Sequence, residues 1–116
     1  MKDNLIVDLS YQFALSVMAG AKLMREKKEY ELASQFWRAG TSIGANVEEA
    51  QAAQSRSDFK SKMSIAAKEA RECHYWLRLA RAGNILHEAE VSPMLAKIES
   101  LQKILTSIVK STSENP

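Results

Sequence analysis

Apolar residues recur at alternating steps of three and four through most of the chain, and this spacing constrains the fold more than any other feature. Such steps place side chains on one face of an α-helix, whereas a half-buried strand alternates at every second residue. The spacing predicts four helices, over about residues 5–27, 30–54, 58–82 and 93–110. Residues 111–116 are polar, and we predict that they fray.

The predicted connections are short, and short connections force consecutive helices to run antiparallel. We therefore predict an all-α fold, an antiparallel up-down-up-down four-helix bundle that forms one domain over residues 1–116. Hydrophobic residues make up 46% of the 116, which is enough for one core. Two prolines and four glycines are too few for a turn-rich all-β protein.

Four residues mark predicted helix ends. Ser57 is suited to cap the third helix, because a serine hydroxyl accepts from free backbone N–H groups of the first turn. Gly83 follows that helix and tolerates the left-handed conformation common at such ends. After a loop of about eight residues, Ser92-Pro93 predicts the start of the fourth helix, since proline suits the first helical position.

Composition narrows the location and chemistry that we expect. The formal net charge of +2 does not by itself indicate a nucleic-acid binder. A protein with a small net charge can still carry most of its cations on one surface. The single cysteine excludes an internal disulfide and suits a reducing compartment. No signal-peptide block and no apolar run of about 20 residues occur, so we expect a cytoplasmic protein without a membrane partner.

The third predicted helix carries a second seam beside its core stripe. The seam mixes apolar and charged residues, namely Asp58, Lys62, Ile65, Glu69, Glu72, Trp76 and Leu79. On the second helix, Trp37 lies beside core positions together with small residues that would let another helix approach closely, Gly40 and Gly44. Tryptophan is enriched at interface centres, so we predict self-association. The alternative is that a wide stripe fills a thick bundle core.

The predicted oligomer interface therefore consists of the following six residues: Trp37, Ile65, Glu69, Glu72, Trp76 and Leu79. A second set of six, away from the acidic seam, is predicted to bind nucleic acid: Lys60, Lys68, Arg71, Tyr75, Arg78 and Arg81. Cations around an aromatic ring can contact phosphates and stack a base. Arg56 and the cationic end of the first helix, with Lys22, Arg25, Lys27 and Lys28, are expected to add to it. The alternative is an ordinary solvated face.

Three polar residues of the second helix lie close together on its surface. Asn46 falls in a predicted core slot, with Ser42 one turn before it and Glu49 three residues after it. We interpret them as structural, because a single polar core residue can fix helix register. The alternative is a ligand or metal pocket.

No set of residues has the spacing of a catalytic or metal site. The chain lacks the Glu-x-x-His motif of di-iron bundles, and neither His74 nor His87 has a partner histidine at ligand spacing. Cys73 occupies a predicted core position, where cysteine acts as a small hydrophobe. We therefore expect no enzyme activity, no catalytic residue, no metal and no cofactor.

Several segments together resemble one protein family. They are Thr-Ser-Ile-Gly-Ala-Asn-Val-Glu-Glu-Ala-Gln at residues 41–51, the run over residues 58–72, Tyr-Trp-Leu at residues 75–77, and the tail at residues 103–110. The resemblance is to the four-helix-bundle family of proteins encoded in intervening sequences of 23S rRNA genes. It covers the chain from about Ser10 to Lys110.

The resemblance implies architecture more than activity. Members of this family assemble as ring-shaped homopentamers and have no established enzymatic activity. In a related branch, the accessory proteins of diversity-generating retroelements, the positively charged pentamer engages a reverse transcriptase and nucleic acid. The resemblance thus implies a non-enzymatic scaffold that binds RNA, single-stranded nucleic acid or a reverse transcriptase. The alternative is a purely structural or protein-interaction ring.

Overall fold

Four α-helices account for nearly all of residues 4–114, the part of the chain that the computed structural model describes. α1 spans Leu5–Glu26, α2 spans Tyr30–Gln51, α3 spans Arg56–Ala82 and α4 spans Glu88–Glu114. No strand occurs within this part of the chain, which confirms the prediction of an all-α protein with four helices. None of these helices is apolar enough over a sufficient length to cross a membrane.

The helices pack in chain order around a square. α1 contacts α2 and α4, and α3 contacts the same two helices, so α1 and α3 lie on a diagonal. Gly40 of α2 lies against Val17 of α1, and Gly44, one turn further along α2, lies against Ser10, about two turns earlier in α1. Residue numbers therefore rise along α2 as they fall along α1, which is the antiparallel arrangement expected.

The same opposite register relates α3 and α4. His74 contacts Glu99, while Arg56 near the start of α3 reaches Thr112 near the end of α4. The side chains at the predicted core steps fill the space between the four helices. The largest fully buried ones are Phe13, Phe36, Met24, Ile43, Met63, Leu77, Ile98, Leu101 and Leu105. Truncating one of these phenylalanines to alanine costs about 3–5 kcal/mol in typical cores.

α3 begins at Arg56, two residues earlier than predicted. Ser55, not Ser57, is the N-cap, because its Oγ accepts from the Asp58 backbone N–H at 3.0 Å. Ser55 has the extended backbone of a cap, whereas Ser57 is already helical. α2 ends at Gln51 rather than near residue 54.

α4 begins five residues earlier than predicted, and this expectation was wrong. Pro93 lies inside the helix, and the N-cap position is taken by His87, whose backbone N–H donates to Glu90 Oε1 at 2.8 Å. This is half of a capping box. The same hydrogen bond is the main reason that the pKa of Glu90 lies below its ordinary value. Pro93 is exposed, so its ring projects toward solvent.

Two further differences from the prediction concern the residues that follow α3 and the C-terminal end of α4. The left-handed residue after α3 is Asn84, with φ of 58°, whereas Gly83 has φ of −84°. α4 continues to Glu114, so residues 111–114 of the tail are helical, and their fraying stays a prediction. Thr112 Oγ1 donates to the Ile108 carbonyl at 2.8 Å there. Residues 115–116 lie outside the described part of the chain.

Candidate functional site

The cations predicted to bind nucleic acid lie along the outer surface of α3. Lys60, Arg71 and Arg78 are spaced by eleven and seven residues, that is about three and two turns, so they share one line along the helix. All three are exposed, as are Lys68 and Arg81 beside them. Within residues 4–114 none of these five side chains forms an ion pair, so their charges are free to meet an anionic ligand. We call these five residues the basic face.

An aromatic ring lies among these cations. Tyr75 is 46% exposed, and the Arg78 guanidinium lies 5.6 Å from the centre of its ring. The ring of Trp76 meets that of Tyr75 edge-on, with centroids 5.2 Å apart and an interplanar angle of 64°. The arrangement can offer both a charged group for phosphate and a flat apolar surface for a base.

α4 extends the basic face with two lysines that are not among the six residues predicted to bind nucleic acid. His74 Nε2 lies 3.1 Å from Glu99 Oε2, which shows which side of α4 faces this side of α3. Lys103 and Lys110 follow Glu99 by four and eleven residues and therefore share its line on α4. Their seven-residue spacing was visible in the sequence, but only the packing of α3 against α4 aligns them with the basic face.

The cationic end of α1 does not join the basic face, contrary to the sequence-based expectation. α1 is diagonal to α3, so the two helices do not touch. Lys27 instead pairs with Glu90 at 3.6 Å and donates to the Ile85 carbonyl at 2.6 Å. Arg25 lies over the ring of Trp37, 5.6 Å from its centre.

The acidic part of the α3 seam is engaged within the chain. Arg38 of α2 donates to Glu69 Oε1 at 3.1 Å and also contacts the Glu72 carboxylate. Glu69 is only 9% exposed, so its carboxylate lies between α2 and α3 and is largely inaccessible to solvent. Removal of Arg38 would leave the largely buried Glu69 carboxylate without its cation and would weaken the packing of α3 on α2.

The apolar part of the predicted interface remains partly open. Ile65 and Leu79 are 37% and 41% exposed. Trp76 is half-buried, and its Nε1 is buried without a hydrogen-bond partner among the described residues. Trp37 is also open, but the contact with Arg25 places it on the α1 side of α2. The six predicted interface residues therefore form two separate places on the surface of one chain.

The two glycines of the second predicted seam serve the chain's own core. A Cβ added at Gly40 would lie 2.4 Å from Val17 Cγ2, and one at Gly44 would lie 3.3 Å from the Ser10 carbonyl oxygen. The close-approaching helix is therefore α1 of the same chain. For these positions the wide-core interpretation is correct.

Asn46 lies at the edge of the core rather than in it. Ile43, Val47 and Ala50 fill the core positions of α2 there, and Asn46 is half-buried between them and solvent. Its Nδ2 donates to the Ser42 carbonyl at 2.8 Å. The third polar residue, Glu49, is exposed. The predicted core slot was thus wrong by one helix position, and the structural role of the three residues stays a prediction.

Cys73 and a groove between α1 and α4 were considered as places for catalysis, and both have few reactive or titratable side chains. Cys73 is fully buried, and burial, helped by the nearby negative charge of Glu69, raises the pKa of its thiol well above the ordinary value. A groove of about 200 Å³ between α1 and α4 contains one titratable side chain, Lys97, which donates to Ser16 Oγ at 3.2 Å. Within residues 4–114, no three His, Cys, Asp or Glu side chains gather to hold a metal ion.

Comparison with known proteins agrees with the fold. The family model described as 23S rRNA-intervening sequence protein matches residues 2–107 of the chain. A crystal structure of a protein of unknown function from the S23 ribosomal protein family of Bacteroides thetaiotaomicron is 39% identical, with a TM-score of 0.88. The similarity covers 90% of this chain and 98% of that one. None of the curated proteins compared with the chain matches it.

Proposed function

Because this chain belongs to the family of 23S rRNA-intervening sequence proteins, we propose that it is a non-enzymatic homopentameric scaffold that binds RNA or another single-stranded nucleic acid. The observation that supports this proposal most is the basic face. Its five cations are exposed and unpaired within residues 4–114, and they surround Tyr75.

One copy of the basic face is too small to bind nucleic acid tightly. Its outermost members, Lys60 and Arg81, are 21 residues apart, which corresponds to about 32 Å along the helix axis. A stripe of this length reaches only a few phosphates. Repetition of the face around a pentamer lets one long strand contact several copies, and each further contact then forms at a high effective concentration. Binding should therefore favour long strands and tolerate many sequences.

A nucleoprotein partner fits the same surface. The family resemblance makes a reverse transcriptase the most concrete protein partner, and such an enzyme carries bound nucleic acid that the basic face could contact at the same time. The competing function is a purely structural or protein-interaction ring, in which the basic face is only solvated. These two functions differ in whether the isolated protein binds nucleic acid.

The direct test is a fluorescence anisotropy titration with a labelled single-stranded RNA. We expect a strand of about 40 nucleotides to bind much more tightly than one of about 10, because only the longer one spans several copies. Raising the salt from about 50 mM to about 200 mM should weaken binding steeply through counterion release. Arg71→Glu combined with Arg78→Glu should abolish binding and leave the oligomer intact.

A charge-matched control separates this site from a general effect of charge. Lys28→Glu combined with Lys97→Glu makes the same change in net charge, but both residues lie off the basic face, near α1 and in the α1–α4 groove. We expect this variant to retain most of the binding. If wild-type protein ignores RNA and single-stranded DNA even at low salt, the nucleic-acid function is wrong and the structural ring replaces it.

A further inference from the structure

His74 is a titratable group that lies among the cations of the basic face. It follows Arg71 by three residues and precedes Arg78 by four, so the three side chains are neighbours on the surface of α3. Only 23% of the His74 side chain is exposed, and its Nε2 lies 3.1 Å from Glu99 Oε2 across the α3–α4 groove. Because an imidazole takes up a proton between about pH 5 and 8, the site contains a group whose charge can change near neutral pH.

The charged groups around His74 come from both helices. One carboxylate, Glu99, favours a positive charge on the imidazole. Glu69 and Glu72 lie on the other side of α3, toward α2, where Arg38 contacts both. Four cations on the His74 side oppose a positive charge there, namely Arg71, Arg78, Arg81 and Lys103. In the free protein, protonation of His74 therefore has one charged group in its favour and several against it.

A bound strand of nucleic acid changes this balance. Its phosphates neutralise the cations that oppose protonation and add negative charge near the imidazole. Protonation in turn leaves His74 and Glu99 together without net charge, whereas with a neutral imidazole the two carry one negative charge that repels phosphate. The binding of a proton and the binding of a strand therefore favour each other, and such a coupling is reciprocal.

We propose that His74 takes up a proton when the basic face binds single-stranded nucleic acid, so that binding tightens as the pH falls. The contribution of His74 is fully present where the imidazole is protonated in the complex, and it is lost as the pH rises above that range. This inference rests on the proposed function and adds the residue through which pH controls affinity.

The test is a fluorescence anisotropy titration with a labelled oligouridine of about 40 nucleotides, long enough to span several copies of the face. It is carried out at about pH 7.5 and about pH 5.5, on either side of the range in which histidine titrates, at constant salt. Uracil has no group that titrates there, so the probe keeps its charge. We expect wild-type protein to bind roughly three- to ten-fold more tightly at the lower pH, the effect of one charge near a solvated phosphate.

Two substitutions fix the charge at this position. His74→Gln should bind at both pH values as weakly as wild-type protein does at the higher one. His74→Arg should bind at both about as tightly as wild-type protein does at the lower one. His87→Gln is the matched control, because it makes the same change at the other histidine of the chain, at the start of α4, and it should keep the pH dependence. Circular dichroism and light scattering check that each variant keeps its fold and oligomeric state.

Calorimetry measures the proton directly. Isothermal titration calorimetry in buffers of different ionisation enthalpy, near pH 6.5 where histidine is about half protonated, counts the protons taken up on binding. Wild-type protein should take up a fraction of a proton for each occupied basic face, and His74→Gln should lose this uptake.

The outcomes separate this inference from the proposed function. Wild-type protein that binds equally well at both pH values would show that the inference is wrong and leave the proposed function standing. A pH dependence that persists in His74→Gln, or one that His87→Gln removes, would place the proton on another group and also make the inference wrong. Absence of binding at both pH values would overturn the proposed function, and this inference with it.

Discussion

The imidazole of His74 in α3 and the carboxylate of Glu99 in α4 lie within hydrogen-bond distance across the α3–α4 groove, with 3.1 Å between Nε2 and Oε2. This pair lies beside the basic face, on the same line of α4 as Lys103 and Lys110. The negative charge of Glu99 therefore repels an anionic ligand at this surface.

Glu99→Gln should tighten RNA binding. The amide retains a hydrogen-bonding group for His74 but removes the negative charge that repels phosphate, an effect on the order of two- to five-fold in Kd near a solvated surface. Anisotropy titration at low salt measures it. Glu48→Gln is the control, since Glu48 is an exposed carboxylate on α2. Equal tightening by both variants would show that only net charge matters.

Lys103→Ala combined with Lys110→Ala should weaken RNA binding and reduce its salt dependence. Each phosphate contact that is lost lowers the slope of log K against log salt by about 0.7 for a single strand. The same titration at several salt concentrations measures both effects. An unchanged slope would place the bound strand on α3 alone and exclude α4 from the site.

Gly40→Ala should destabilise the fold. The added Cβ would lie 2.4 Å from Val17 Cγ2 and 2.8 Å from Cγ1, and overpacking of this kind costs about 1–3 kcal/mol. The greater helix propensity of alanine offsets up to about 1 kcal/mol. Urea unfolding measures the net change, and adding Val17→Ala should recover part of it. If the loss of stability in the double variant equals the sum of the losses in the two single variants, the contact is not the cause.

Asn46→Ala should change stability by less than about 1 kcal/mol. Its Nδ2 donates to the Ser42 carbonyl, but Asn46 is half-buried, so water can replace the lost hydrogen bond. Chemical denaturation measures this effect. A loss of several kcal/mol would instead show that the side chain is a buried anchor, and a loss of binding without a change in stability would make it a ligand contact.

Cys73 should resist thiol reagents while the protein is folded. The side chain is fully buried and its pKa is raised by burial first and by the charge of Glu69 second, so little thiolate forms at neutral or mildly alkaline pH. Iodoacetamide labelling followed by mass spectrometry should show modification only after denaturation. Rapid labelling of the native protein would contradict the buried position.

Helix boundaries show where local sequence signals compete. Ser55 and Ser57 are both good caps, and only the backbone conformation shows that the earlier one is used. Ser92-Pro93 looked like a helix start, but the Glu90 side chain satisfies the His87 N–H and starts α4 earlier. Such choices depend on the satisfaction of a few hydrogen bonds, which residue types alone do not determine.

The sequence by itself determined the number and type of the elements and most of the core, because steps of three and four residues match the period of one α-helix. It also showed that Arg71 and Arg78 share one line of α3, since both belong to the same helix. Tertiary packing decided which lines from different helices meet. It joined Lys103 to the basic face, removed Lys27 from it, and placed Trp37 and Trp76 on different sides of α2. Residues on separate helices become neighbours only through the register and rotation of packing, which no spacing within one helix encodes.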